Sequence, residues 1–186
     1  MNLPIDNTLF ILLLTSLVGS AITDIKSQRI PNLITFPTAI TALAYHTIVH
    51  GVDGLFFGFG GLALGIGCFL PFYLAGGMGA GDAKLLGSVG AILGPKAVLV
   101  AALLTVIIGG VYAILVLIIR RTACRALIYR LTTMFKTFLY TRQVISIPAS
   151  EQENTPKLCY GVAIALGTTL YLLMEMMGYR FLNGAI

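Results

Sequence analysis

Two aspartates lie where apolar segments of the chain meet short polar loops. Asp24 follows the first apolar run, and Asp82 follows a glycine-rich run that begins at Gly76. The chain has only seven acidic residues, and an ionisable group beside hydrocarbon is costly, so each aspartate is a candidate functional group. Two carboxylates that meet at one membrane face would share a proton, because like charges at short range disfavour double ionisation. The pair predicts the acid–base hydrolysis performed by aspartyl proteases.

The composition is that of a helical membrane protein. Hydrophobic residues make up 58% of the 186 residues and charged residues 10%, whereas about 25% of residues are charged in soluble domains. The apolar runs do not alternate as barrel strands do, and no polar stretch is long enough for a second domain. We therefore predict one all-α, polytopic membrane domain over residues 1–186, in contact with lipid and without a nucleic-acid partner.

Six apolar segments are candidates to cross the bilayer, which takes roughly 20 residues. The fourth is short, and its length suits a buried or re-entrant helix that its neighbours shelter from lipid. No Lys or Arg precedes Lys26, so we expect the first segment to be a retained span and not a signal peptide. The segments are Leu3–Thr23, Leu33–Val49, Leu55–Ala75, Ala83–Leu93, Ala97–Ile119 and Leu158–Gly178.

The basic residues are distributed unevenly among the loops. All of the 12 Lys and Arg residues except Lys96 and Arg180 follow spans one, three and five. The positive-inside rule then predicts that these three loops are cytoplasmic and that both termini lie outside. We therefore expect Asp24 and Asp82 to lie on the cytoplasmic face of a multi-pass protein of the cytoplasmic (inner) membrane.

The longest predicted loop, residues 120–157, carries its own pattern. Between Leu127 and Leu139, apolar residues recur at helical spacing with basic residues between them. This pattern is typical of a basic amphipathic helix in the membrane interface. The alternative is that the fifth span simply extends into the cytoplasm as a helix.

Pro31 and Asn32 form a turn after the first aspartate. Pro31 ends any helix before it, and the Asn32 side chain can cap the second span. The alternative role for Asp24 is that of a solvated loop acid paired with Lys26 or Arg29.

The second motif places Gly79 and Gly81 just before Asp82. Glycine permits close backbone approach, so the Gly76–Gly81 turn is a candidate contact for an extended substrate, or a packing site for spans three and four. Asp82 can also cap the fourth helix. Lys84 is either an interfacial lysine that reaches the headgroups or a charge that tunes the site.

The two motifs together, D-x-x-x-x-x-I-P-N and then G-x-G-D-x-K-L-L, resemble the type IV prepilin peptidase family, which consists of membrane aspartyl proteases of the G-x-G-D class. The resemblance also takes in the late run Tyr160–Gly167. It implies that Asp24 and Asp82 are the catalytic pair and that no metal or cofactor is needed. Further residues are expected to bind substrate or shape the site: Gly79, Gly81, Lys84, Pro31 and Asn32.

The resemblance also implies the substrate. Prepilin-like or pseudopilin-like proteins would lose a short basic leader, cut just before their hydrophobic segment. Larger members carry a cytoplasmic C-x-x-C domain between the first two spans and also methylate the new amino terminus. Only residues 24–32 separate these spans here, so the chain is similar to the short, peptidase-only forms of tight-adherence pili or archaeal-type filaments.

The acid–base roles follow from helix position. Asp82 at a helix start is expected to be the ionised base that activates water, and Asp24 the acid. Three alternatives remain open: a presenilin-like intramembrane protease, a small transporter that uses paired acids for proton or cation relay, and a non-catalytic scaffold in which both acids are helix caps.

Overall fold

The computed structural model describes residues 6–75, 77–119 and 159–178. Over these residues the chain is all-helical, as its composition predicts, with no strand. The five helices are α1 (Asn7–Ser27), α2 (Asn32–Leu74), α3 (Ala80–Leu93), α4 (Pro95–Ile119) and α5 (Tyr160–Met176).

Helix α2 is an antiparallel hairpin of two arms, residues 32–50 and 52–74. Gly51 joins the arms with a φ of 64° and a ψ of −142°, a left-handed conformation that glycine adopts readily. Beyond this turn the backbone of Gly54 lies against the His46 carbonyl, and a Cβ on Gly58 would lie 2.9 Å from Leu43 Cδ2. Each arm has about the length that crosses a bilayer. The two arms correspond to the second and third predicted segments.

Helix α3 is almost wholly enclosed by the protein. Every residue from Leu85 to Leu93 is buried. Because isolated helices of this length are marginal in water, α3 depends on this packing for its stability. Its Gly90 backbone lies directly against the Gly61 backbone in the second arm of α2. The His46 side chain adds a hydrogen bond from Nε2 to the Ile92 carbonyl at 3.1 Å. The structure thus confirms the prediction that the short fourth segment is a sheltered helix.

Helix α1 extends four residues beyond the predicted end of its apolar segment, to Ser27. Gln28 then ends it in the left-handed region, with φ 51° and ψ 33°, and donates its N–H to the Asp24 carbonyl at 2.8 Å. Asp24 therefore lies in the last turn of a helix, not in the following loop. Helix α1 packs against α5, α2 and α3.

Among the described residues, three helices are long and apolar enough to cross a membrane: α1, α2, and α4 over Pro95–Val116. Helix α5 is a shorter apolar helix. The number of membrane crossings and the outward N-terminus remain predictions.

The chain divides into two compact units. The first contains residues up to Gly109 together with those from Cys159, and it holds both aspartates. In the second, the described residues are the end of α4, from Gly110 to Ile119. The predicted amphipathic helix in residues 120–157 lies outside the described residues, and the single domain remains a prediction.

Candidate active site

Asp24 is buried in the last turn of α1, with 5% of its surface exposed. Its Oδ2 atom accepts a hydrogen bond from the Gly161 N–H of α5 at 2.8 Å. A buried carboxylate with a backbone donor does not fit the alternative of a solvated acid. Helix α5 begins at Tyr160, so the last helix of the described chain contributes directly to the surroundings of Asp24.

Asp82 is the third residue of α3 and is 8% exposed. Its Oδ2 accepts the Gly79 N–H at 3.1 Å, and its own N–H donates to the Gly79 carbonyl at 3.2 Å. This exchange satisfies two backbone groups at the start of the helix. Asp82 is therefore not the N-cap residue itself, which is Gly79, but its carboxylate accepts the Gly79 amide from inside the first turn, and this contact holds the carboxylate in place.

The two carboxylates are close enough to influence each other. Burial raises the pKa of Asp82 to about 6, and the charge of Asp24 contributes to that rise. Burial also raises the pKa of Cys159, and the charges of Asp24 and then Asp82 raise it further. The Cys159 Sγ lies 3.9 Å from the Asp24 carbonyl oxygen. The charges of Asp24 and Asp82 therefore act on each other and on the Cys159 thiol.

Ile30 lies between the two aspartate-bearing regions. A Cβ on Gly81 would be 3.1 Å from Ile30 Cβ and 3.2 Å from its carbonyl oxygen. On the other side, a Cβ on Gly161 would be 3.0 Å from Ile30 Cδ1. The segment that lies against Gly81 is therefore the chain's own Ile30, just before α2, and not the neighbouring span of the predicted packing alternative.

Lys84 and Asn32 are brought together by a hydrogen bond from Lys84 Nζ to Asn32 Oδ1 at 3.0 Å. The ammonium also lies 5.3 Å from the centre of the Phe36 ring, within cation–π range. The prediction that the Asn32 side chain caps the second span is wrong. Asn32 is the first residue of α2, and no side chain caps the helix at Pro31, because the Asn32 oxygen accepts from Lys84 instead.

Pro31 immediately precedes α2 in an extended conformation, with φ −70° and ψ 141°. Its carbonyl accepts the Ile34 N–H at 3.1 Å. The turn therefore forms as the sequence predicts and carries Ile30 against Gly81.

Gly161 and Cys159 were not predicted as site residues. Both act through backbone or weak contacts, which leave no charged side-chain signature in the sequence. The available signal was a glycine at the start of the last apolar segment, next to a long polar loop. Among the described residues, no three His, Cys, Asp or Glu side chains are grouped so as to hold a metal ion.

Comparison with models of known protein families gives a match. The model of the type IV leader peptidase family matches residues 9–114. This range contains both aspartates but not the Tyr160–Gly167 run, so the match is narrower than the resemblance expected from the motifs. Searches of the curated proteins and of the solved structures found no match.

Proposed function

The chain belongs to the type IV leader peptidase family, and we propose that it is an aspartic endopeptidase with Asp24 and Asp82 as its catalytic pair. Its substrates are prepilin-like or pseudopilin-like proteins, whose short basic leader it removes at the cytoplasmic face of the inner membrane. Any methylation of the new amino terminus comes from another protein.

The observation that carries this proposal is the pair of buried, interacting carboxylates. Asp24 and Asp82 come from different helices, and less than a tenth of each side chain is exposed. The charge on Asp24 makes Asp82 harder to ionise. A pair of this kind supplies one acid and one base from the same residue type.

The pair supports hydrolysis by general acid–base catalysis. The ionised carboxylate accepts a proton from water as the water oxygen attacks the scissile carbonyl carbon, and the protonated carboxyl donates a hydrogen bond to the carbonyl oxygen. The tetrahedral intermediate then breaks its C–N bond as a proton passes to the leaving amine.

The surroundings of the two acids favour Asp24 as base and Asp82 as acid, the reverse of the assignment expected from helix position. Asp24 accepts an amide hydrogen inside the first turn of α5, whereas the amide that Asp82 accepts belongs to Gly79, just before α3; both contacts stabilise a charged carboxylate. Asp82 has a pKa raised to about 6, so it keeps a proton to a higher pH than an ordinary aspartate. Because the pair titrates as a unit, these roles describe the dominant singly protonated form.

The positions of the acids argue against the transporter alternative. Asp24 lies in the last turn of α1 and Asp82 in the first turn of α3, whereas a relay across the membrane needs acids near the bilayer midplane. Acids at helix ends suit a substrate that is cut next to its hydrophobic segment. The Lys84–Asn32 contact and Pro31 support the nearby turn and, on this proposal, help to shape the substrate site.

The test is co-expression with candidate prepilins from the same genome, followed by amino-terminal sequencing of the products. We expect Asp24→Asn and Asp82→Asn each to lower cleavage by about 100-fold or more, because Asn keeps the size of the side chain but cannot exchange a proton. Both variants should still insert into the membrane.

Two substitutions serve as controls. Asp53 is exposed at the distant turn of α2, so Asp53→Asn should cleave at the wild-type rate. Cys159→Ser should also cleave, since the thiol makes only a 3.9 Å contact with the Asp24 backbone. Near-normal cleavage by either catalytic-site variant, Asp24→Asn or Asp82→Asn, would show that the proposed pair is wrong.

A further inference from the structure

Asp24 is held by the first turn of α5. Gly161 is the second residue of this helix, and its N–H donates to Asp24 Oδ2 at 2.8 Å. Amides in a first helical turn have no partner within their own helix, and they carry the positive end of the helix dipole. A carboxylate that accepts such an amide is stabilised in its charged form.

The absence of a side chain at position 161 permits this contact. A Cβ there would lie 2.9 Å from Asp24 Oδ2, 3.1 Å from Asp24 Cβ and 3.0 Å from Ile30 Cδ1. The backbone gives no other reason for glycine, since Gly161 is not among the residues with positive φ. A side chain at position 161 would therefore disturb the close approach of Asp24 and not the backbone conformation.

We propose that Gly161 is a positioning residue of the active site, whose amide fixes the orientation of the Asp24 carboxylate and favours the charged form that acts as base. The proposal rests on the proposed peptidase function. It extends the site to α5, which lies outside the residues that the family model matches.

Gly161→Ala tests the proposal in purified protein, with a prepilin substrate and rates measured across pH. The added Cβ must push Asp24 away, which weakens the hydrogen bond and makes the charged base harder to form. We expect kcat/KM to fall roughly tenfold at its optimum. We also expect the acidic limb of the pH–rate profile to move to higher pH by about half a unit, because this limb reports ionisation of the base.

Gly167→Ala is the matched control in the same helix. A Cβ at this position would lie 2.7 Å from the Thr105 backbone nitrogen, so it disturbs the packing of α5 six residues beyond the contact with Asp24. This variant should lower the melting temperature and leave the acidic limb unmoved. If Gly161→Ala behaves in the same way, with an unshifted profile, Gly161 is only a packing residue and the proposal fails.

A double variant keeps the test decisive if Gly161→Ala accumulates poorly. Ile30→Val removes the Cδ1 atom that the new Cβ would meet, but the Cβ would still lie 2.9 Å from Asp24 Oδ2. The double variant Ile30→Val/Gly161→Ala should therefore be more stable than Gly161→Ala and keep the shifted acidic limb of the pH–rate profile. Ile30→Val alone is its reference. Recovery of the wild-type profile would overturn the proposal.

Failure of this inference can be told apart from failure of the peptidase function. If Asp24→Asn abolishes cleavage while Gly161→Ala leaves the profile unchanged, the pair stands and the positioning role is wrong. If Asp24→Asn cleaves normally, the pair itself is wrong.

Discussion

Each of the two aspartates accepts a hydrogen bond from a glycine amide. The Gly161 amide donates to Asp24, which is far away in the sequence, and the Gly79 amide donates to Asp82, three residues further along the chain. In both cases the bonded atom is Oδ2, and a Cβ on the glycine would crowd that atom, at 2.9 Å and 3.2 Å respectively. Backbone amides are fixed by their helices, so they hold a carboxylate without the entropy cost of ordering a long side chain. Such rigid support is what a catalytic pair requires.

The pKa of Asp82 predicts a pH-dependent stability. The folded protein keeps the Asp82 proton up to a pKa of about 6, compared with an ordinary value of 3.8. Between these values the folded state binds more protons than the unfolded state, so stability falls as the pH rises through this window. Melting temperatures in detergent between pH 4 and pH 7 should decline in the wild type and decline less in Asp82→Asn.

The reference for this experiment is Asp53→Asn, which removes an exposed aspartate and should follow the wild-type curve. Parallel melting curves for wild type and Asp82→Asn would show that the Asp82 carboxyl titrates normally. The proposed role of Asp82 as the acid would then lose its support.

At the scale of helices, the site depends on how closely α3 fits the second arm of α2. Gly61 and Gly65 of that arm lie against the backbone of α3 at Gly90 and Leu86. Small residues allow such approach between helices in membranes, where van der Waals packing drives association. Because Asp82 lies in the first turn of α3, the position of its carboxylate follows from this contact.

Two neighbouring glycines test this dependence. In Gly61→Ala the new Cβ would overlap the Gly90 carbonyl, whereas at Gly60 no atom lies within 4 Å of an added Cβ. We expect Gly61→Ala to lower the melting temperature in detergent and to reduce cleavage. Gly60→Ala should match or exceed wild-type stability, since alanine is favoured over glycine in a helix by roughly 0.5–1 kcal/mol. Equal melting temperatures for the two variants would contradict the close fit.

The helices were predictable from the sequence, but several of their contacts were not. Apolar runs identified α3, α4 and α5 within a few residues, and the short length of α3 indicated its burial. The Asn32 cap was wrong because Lys84, far along the sequence, competes for the same oxygen. The Gly161 contact was missed because a backbone amide carries no residue-type signature. Apolar periodicity and local propensity predict where helices form. These contacts depend on which helices and loops pack together, which the sequence does not state.

At the scale of the whole molecule, the hairpin of α2 gives the site its proposed orientation. Asp24, Lys26 and Arg29 lie at one end of the first arm of α2, and the Gly51 turn lies at the other end. If each arm crosses the bilayer, these two regions lie on opposite sides of the membrane. Lys26 in the last turn of α1 and Arg29 just after it then predict that the aspartates face the cytoplasm and that the Gly51 turn faces outside.

Single-cysteine labelling in intact cells tests this topology. In a background with Cys68, Cys124 and Cys159 replaced, Ser27→Cys and Val52→Cys introduce thiols at two exposed positions. A membrane-impermeant reagent should label Val52→Cys in intact cells once it has passed any outer envelope, and Ser27→Cys only after the membrane is opened. Retained prepilin cleavage shows that each variant is folded. Labelling of both thiols in intact cells, or of Ser27→Cys alone, would contradict the cytoplasmic position of the aspartates. The basic leader of a prepilin would then have to be cut on the outer side of the membrane.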